Sequence, residues 1–84
     1  MTNLKELLDP KIIKLVSVFY NNKAKLYHLT HLAKEANIPS ATALRLIKQL
    51  VSSDIVKVVP VGKLKIYSYN DTEENNKFME LLKL

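Results

Sequence analysis

The amino-acid sequence predicts a mainly α-helical domain with one small β-hairpin, its elements running helix, helix, helix, strand, strand, helix. Three observations predict it. Apolar residues recur at helical spacing in successive stretches as far as Ser52. The period then becomes strand-like over residues 55–69, around Gly62, the only glycine in the chain. Beyond it, Asp71-Thr72-Glu73-Glu74 has the form of a capping box that opens a last helix.

Each element has its own signal. Leu4, Leu7 and Leu8 form a short apolar stripe behind Thr2. Asp9 is a good N-cap, and Pro10 loses no needed hydrogen bond at the first helical position. Ile12, Ile13, Val16 and Phe19 follow on one face, and Asn21-Asn22 stops the helix. Leu26-Tyr27 suits a very short strand. Leu29, Leu32, Ala33 and Ala36 make the face of a second helix, which Asn37 ends in the left-handed conformation with Ile38 packing back. Pro39-Ser40 opens a third helix over about 40–52, with Ala43, Leu46, Ile47 and Leu50 as its buried stripe. Residues 55–61 are rich in β-branched side chains. Leu64, Ile66 and Ser68 then alternate with Lys65, Tyr67 and Tyr69. Gly62 supplies the positive backbone angle of a tight turn, and Pro60 marks an edge or an irregular strand. Phe78, Met79, Leu81 and Leu82 close the chain. A short turn before a protruding third helix, with a basic hairpin behind it, is the pattern of a winged helix-turn-helix.

With 84 residues there is room for one domain, 1–84, and one small core. A chain of this size buries roughly 60–65% of its unfolded surface, so association is a common source of further burial. Hydrophobic residues make up 48% and charged residues 25%, a globular composition rather than a disordered one. The absence of cysteine excludes disulfides, thiolate metal sites and cysteine nucleophiles. No stretch approaches the roughly 20 apolar residues of a membrane span, and residues 1–9 hold no signal-peptide core. The expectation is a cytoplasmic, nucleoid-associated protein with no membrane partner.

The net charge of +5 is unevenly placed. Residues 22–65 contain Lys23, Lys25, Lys34, Arg45, Lys48, Lys57, Lys63 and Lys65 against only Glu35 and Asp54, a local charge of +6. The two ends together carry −1. A basic middle between near-neutral ends suits a polyanion-binding face with separate assembly elements, though it also suits a merely solvated lysine surface.

If the third helix buries Ala43, Ile47 and Leu50, then Ser40, Ala41, Leu44, Arg45 and Lys48 face outward. An α-helix fits the major groove of B-DNA, and its first turns carry most base contacts. Arg45, the only arginine, has the planar fork that binds guanine O6 and N7 together; a phosphate contact is its other use. Leu44 either touches thymine methyls or completes the core. Ser40 and Thr42 are placed for phosphate, and Ser40 equally for capping. Lys48, Gln49, Lys34, Lys23 and Lys25 are placed for contacts with the DNA backbone, while each taken singly reads more readily as a solvated side chain. In the hairpin, Lys63 is expected at the minor groove, with Lys57 and Lys65 weaker candidates whose alternative role is to protect a strand edge. Tyr67 and Tyr69 are read as packing residues. His28 and His31 lack a third ligand, so no metal is expected, and helix capping suits His28. There is no Gly-rich phosphate loop or nucleophile motif, so neither a cofactor nor an enzymatic activity is expected.

The stretch from Leu8-Asp9-Pro10 and Ile12-Ile13, through residues 29–38 and 40–50, to Ile55-Val56-Lys57, Gly62-Lys63 and Ile66-Tyr67 resembles the ArsR-type winged-helix regulators of bacteria and archaea. MarR-like regulators share most of these features. The resemblance implies a homodimer whose first and last helices pair across a two-fold axis while the recognition helices enter successive major grooves. Segments 1–8 and 72–84 would then pair through Leu4, Leu7, Leu8, Phe78, Met79, Leu81 and Leu82. The apolar content of both ends exceeds what a three-helix core needs, which supports the same pairing. Packing of both ends on their own core is the alternative.

The chain departs from the family at two places. Metal-sensing members carry cysteines on the second helix or Asp and His sets on the last, and neither is present. The glycine usual before the first wing strand is replaced by Asp54, which tolerates the left-handed conformation better than most residues. The reading is a sequence-specific regulator on double-stranded DNA, without a metal or small-molecule site of the usual kind. The alternatives are a winged-helix protein-interaction module and a non-specific chromatin-type protein.

Overall fold

Asp9 and Pro10 start the first helix as their chemistry requires. In the computed structural model, which describes residues 9–82, α1 spans Pro10–Asn21. The Asp9 carboxylate accepts from the Lys11 N–H at 2.8 Å. Ile12, Leu15, Val16 and Phe19 are its buried face, while Ile13 is only half-buried at the edge. The segment holding Leu4, Leu7 and Leu8 lies outside the described residues.

Strand β1 (Tyr27–His28) leads directly into α2 (Leu29–Ala36). His28 caps α2: its Nδ1 accepts from the Thr30 N–H at 3.4 Å. Asn37 ends the helix at φ +56°, and the Ile38 N–H reaches back to the Ala33 carbonyl at 3.0 Å. This six-to-one bond is the Schellman closure anticipated from Asn37-Ile38. Residues 37–39 then turn the chain into α3 (Ser40–Ser52). Pro39 takes the N-cap place without a side-chain cap, so Ser40 is the first helical residue and not the cap.

Strands β2 (Val56–Val61) and β3 (Leu64–Tyr69) form the hairpin. Gly62 sits at φ +61° in the two-residue turn, where Val61 pairs with Leu64. The positive angle falls on the first turn residue only, as in a type II′ turn. Pro60 lies on β2, an outer strand of the order β1-β3-β2, where a missing N–H breaks no inner ladder. The sheet therefore has three antiparallel strands, since Tyr27 of β1 pairs with Tyr67. Tyr67 and Tyr69 are buried packing residues, and Ser68 between them is buried too.

Helix α4 (Glu73–Leu81) is capped by Thr72, whose Oγ1 accepts from the Asn75 N–H at 3.1 Å. Asparagines tie α4 to the root of the hairpin. The Asn75 amide donates to the carbonyls of Asp54 and Asn70, at 2.9 and 2.8 Å, and the Asn70 amide donates to the same Asp54 carbonyl at 2.8 Å. Asp54 holds φ +60°, a conformation in which Cβ crowds the backbone. Asp54→Gly is expected to raise stability by about 0.5 kcal/mol, a Tm increase of about 2–4 °C by calorimetry.

One core serves all these elements, with Phe19, Leu32, Leu46, Ile47, Leu50, Tyr27, Tyr69 and Met79 fully enclosed. Phe19 meets Tyr27 edge-on, with ring centroids 5.5 Å apart. The Tyr69 hydroxyl donates to Asn76 Oδ1 at 2.8 Å. Burial, helped by Tyr20 and Asp71, pushes its pKa from 10 up to about 12. The folded state thus holds this proton more tightly than the unfolded chain does. Its stabilising effect is complete below pH 10 and falls away as pH rises through 10 to 12. Tyr69→Phe is expected to flatten that alkaline decline in a series of denaturant melts.

Candidate nucleic-acid interface

Helix α3 is held by one face and free along the other. Ala43, Leu46, Ile47 and Leu50 anchor it in the core, as the i, i+3, i+4, i+7 spacing demands. The three-residue turn from α2 fixes its angle and leaves its N-terminal half protruding. Ser40, Ala41, Arg45 and Lys48 are exposed; Thr42 and Leu44 are half-buried. Without a side-chain cap, the N–H groups of the first turn keep their hydrogen-bonding capacity for an outside acceptor.

The ion pairs sort the lysines. Among the described residues, salt bridges join Lys25 to Glu35 at 3.5 Å and Lys77 to Glu73 at 3.4 Å, and His31 Nε2 lies 3.2 Å from the Glu35 carboxylate. None involves Arg45, Lys48, Lys57, Lys63, Lys65 or Lys34. These cations have no carboxylate within reach among the described residues, so their charge is uncompensated locally. Lys25 bonds Glu35 and lies over the Tyr27 ring at 5.1 Å. Lys23 sits over the Tyr20 ring at 4.8 Å. Both lysines are exposed, and each has a neighbour within its own subunit, a carboxylate and a ring for Lys25 and a ring for Lys23. Gln49 is half-buried with its amide oxygen enclosed, so it leaves the exposed set.

The register divides the wing lysines. Lys65 pairs with Pro60, and Val58 with Tyr67, on the sheet face turned to α3. Lys57 pairs with Ser68 on the opposite face, so the structure does not bring it beside Arg45 and Lys48. Lys63 stands at the turn. Beside it are two residues that sequence reasoning passed over. Val61 and Leu64 face each other across the hairpin tip, 56% and 54% exposed. Two apolar side chains flanking a lone glycine turn were the signal that marked them.

The residues expected to pair two subunits separate in the same way. Met79 is 0% exposed and belongs to its own subunit's core, so it is withdrawn from that surface. Asn75 and Asn76 hold α4 against Asp54, Asn70 and Tyr69, and Met79 joins the common core from that helix. Phe78 and Leu82 are half-buried against the same core, and Leu81 is 80% exposed. His28 caps α2 and His31 lies beside Glu35. Among the described residues no three His, Asp or Glu side chains gather as metal ligands, and no helix is long and apolar enough to cross a membrane.

Three helices, a three-residue turn, a protruding third helix and a basic hairpin define a winged helix-turn-helix domain. No family model and no curated protein matches the sequence. Solved structures do match the fold. NolR from Sinorhizobium fredii superposes with a TM-score of 0.76 at 14% identity, over 94% of this chain and 75% of that one. The winged helix-turn-helix DNA-binding domain of Mb0332 from Mycobacterium bovis, a homodimer, gives 0.73 at 15% identity, over 94% and 69%. HlyU from Vibrio cholerae gives 0.71 at 13% identity, over 94% and 79%. At these identities the likeness is one of fold, that of the winged helix-turn-helix.

Proposed function

We propose that this chain is a sequence-specific regulator of transcription that binds double-stranded DNA as a homodimer. One observation carries the reading: the outward face of α3 holds Arg45 and Lys48 without acidic partners among the described residues, directly beside Lys65 of the wing. In this reading α3 enters the major groove. Arg45 reads guanine by its fork, and the edge of Leu44 left exposed meets thymine methyls. Ser40, Ala41 and Thr42 at the helix start, with Lys48, hold phosphates. Lys63 and the tip pair Val61 and Leu64 reach the minor groove, Lys65 follows the adjacent backbone, and Lys57 contributes only long-range charge.

The two-fold pairing uses Leu81, the rim formed by Phe78 and Leu82, and the N-terminal leucines Leu4, Leu7 and Leu8. The homodimeric state of the Mb0332 domain supports it. No catalysis, cofactor or metal is assigned, and the protein acts where the DNA is, in the cytoplasm on the nucleoid.

Titrating genomic and random duplexes at several salt concentrations tests this. Binding is expected to weaken steeply with salt, and Lys48→Gln is expected to lower the log–log slope by about 1 for either duplex. Equal affinity for all duplexes would make this a chromatin-type protein. Absence of binding near physiological salt would leave a protein-interaction module.

A further inference from the structure

Between the recognition helix and the wing lies an open cleft of about 510 Å³, within the size range of small-molecule sites. Leu44 and Val51 form one wall from α3, and Val58 and Tyr67 form the other from the hairpin. Lys48 and Lys65 stand on either side, and no carboxylate lines the cleft. A phosphate backbone has no use for four apolar side chains, and a purely apolar guest has no use for two uncompensated cations. We propose that this cleft binds a small amphipathic monoanion, an aromatic or medium-chain carboxylate whose apolar body fills the floor while its carboxylate lies between Lys48 and Lys65. The charge of the rim selects the anion, since a neutral analogue leaves both ammonium groups without a partner.

Binding has a regulatory consequence that rests on the DNA-binding reading. Lys48 and Lys65 cannot serve a carboxylate and phosphates at once, so the ligand competes with duplex. The binding itself stands apart from that reading, because it is measured on the protein without DNA.

Naphthoate is the probe, with naphthamide as its neutral match, followed by heteronuclear NMR. Saturable shifts are expected at Leu44, Val51, Val58 and Tyr67 with naphthoate and not with naphthamide. Lys65→Gln is expected to weaken naphthoate roughly tenfold, whereas Lys57→Gln, on the other sheet face, leaves it unchanged. Val51→Trp fills the cleft and is expected to abolish binding with the fold intact by circular dichroism. If that variant does not fold, the pair of lysine variants decides alone. Equal shifts with naphthamide, shifts mapping elsewhere, equal losses at Lys57 and Lys65, or no saturable shift at millimolar ligand would each overturn the proposal.

Discussion

Arg45→Ala is expected to weaken binding to a preferred duplex by about tenfold to a hundredfold while changing a random duplex far less. The guanidinium presents parallel donors in a rigid plane that match guanine O6 and N7, and no other residue of this chain offers that geometry. Its position favours the contact. Arg45 lies on the second turn of α3, exposed, with no carboxylate within reach among the described residues to compete for it. Alanine at an exposed helical site keeps helix propensity and leaves the core stripe untouched, so the melting curve should hardly move. Arg45→Lys separates charge from geometry. Lysine retains the attraction to phosphate but not the bidentate fork, so it should restore random-duplex affinity and leave discrimination impaired. Fluorescence anisotropy with both duplexes at one salt concentration reads both effects. If Arg45→Ala lowers both affinities equally, Arg45 is a phosphate contact, and sequence choice must come from Leu44 or from the shape of the duplex.

The fold was legible where local chemistry decides conformation. Asn37, Asp54 and Gly62 are the described residues at positive φ; residue type alone marks Asn37 and Gly62, whereas Asp54 is marked by the glycine that the resembling family usually carries there. The stripe Ala43, Leu46, Ile47 and Leu50 was legible because only one helical face can satisfy that spacing. What stayed hidden depends on neighbours distant in sequence. Leu26-Tyr27 reads as a very short strand, but two residues are too few to name a partner, and Tyr27 meets Tyr67 across 40 positions of chain. Lys25 reads as a free cation until α2 brings Glu35 beside it. The exposed set of lysines could be named from the sequence, but not its division between two sheet faces. Lys57 and Lys65 flank the same turn, and only the register separates them.

Met79 shows the same limit, and it carries the prediction with the largest effect on stability. Periodicity announces that Met79 is buried but not by which subunit. With the side chain fully enclosed within its own core, Met79→Ala is expected to cost about 2–5 kcal/mol through lost transfer energy and the cavity left behind. Small single cores rarely supply more than about 3–5 kcal/mol, so much of the protein should be unfolded at 37 °C. Leu81→Lys should behave differently. Leu81 is 80% exposed on the same helix and contributes little to the subunit's own packing. Lysine there places a charge in the proposed two-fold contact, which should shift the sedimentation profile toward monomer. Dimerisation stabilises by mass action, so the Tm of the parent chain should rise with concentration, and Leu81→Lys should remove that dependence. Met79→Ala should instead lower the Tm at every concentration. A Met79→Ala protein that dissociates yet melts as the parent does would place Met79 against the partner subunit. It would mean that α4 exchanges its packing on assembly, with a core methionine serving as the pairing residue.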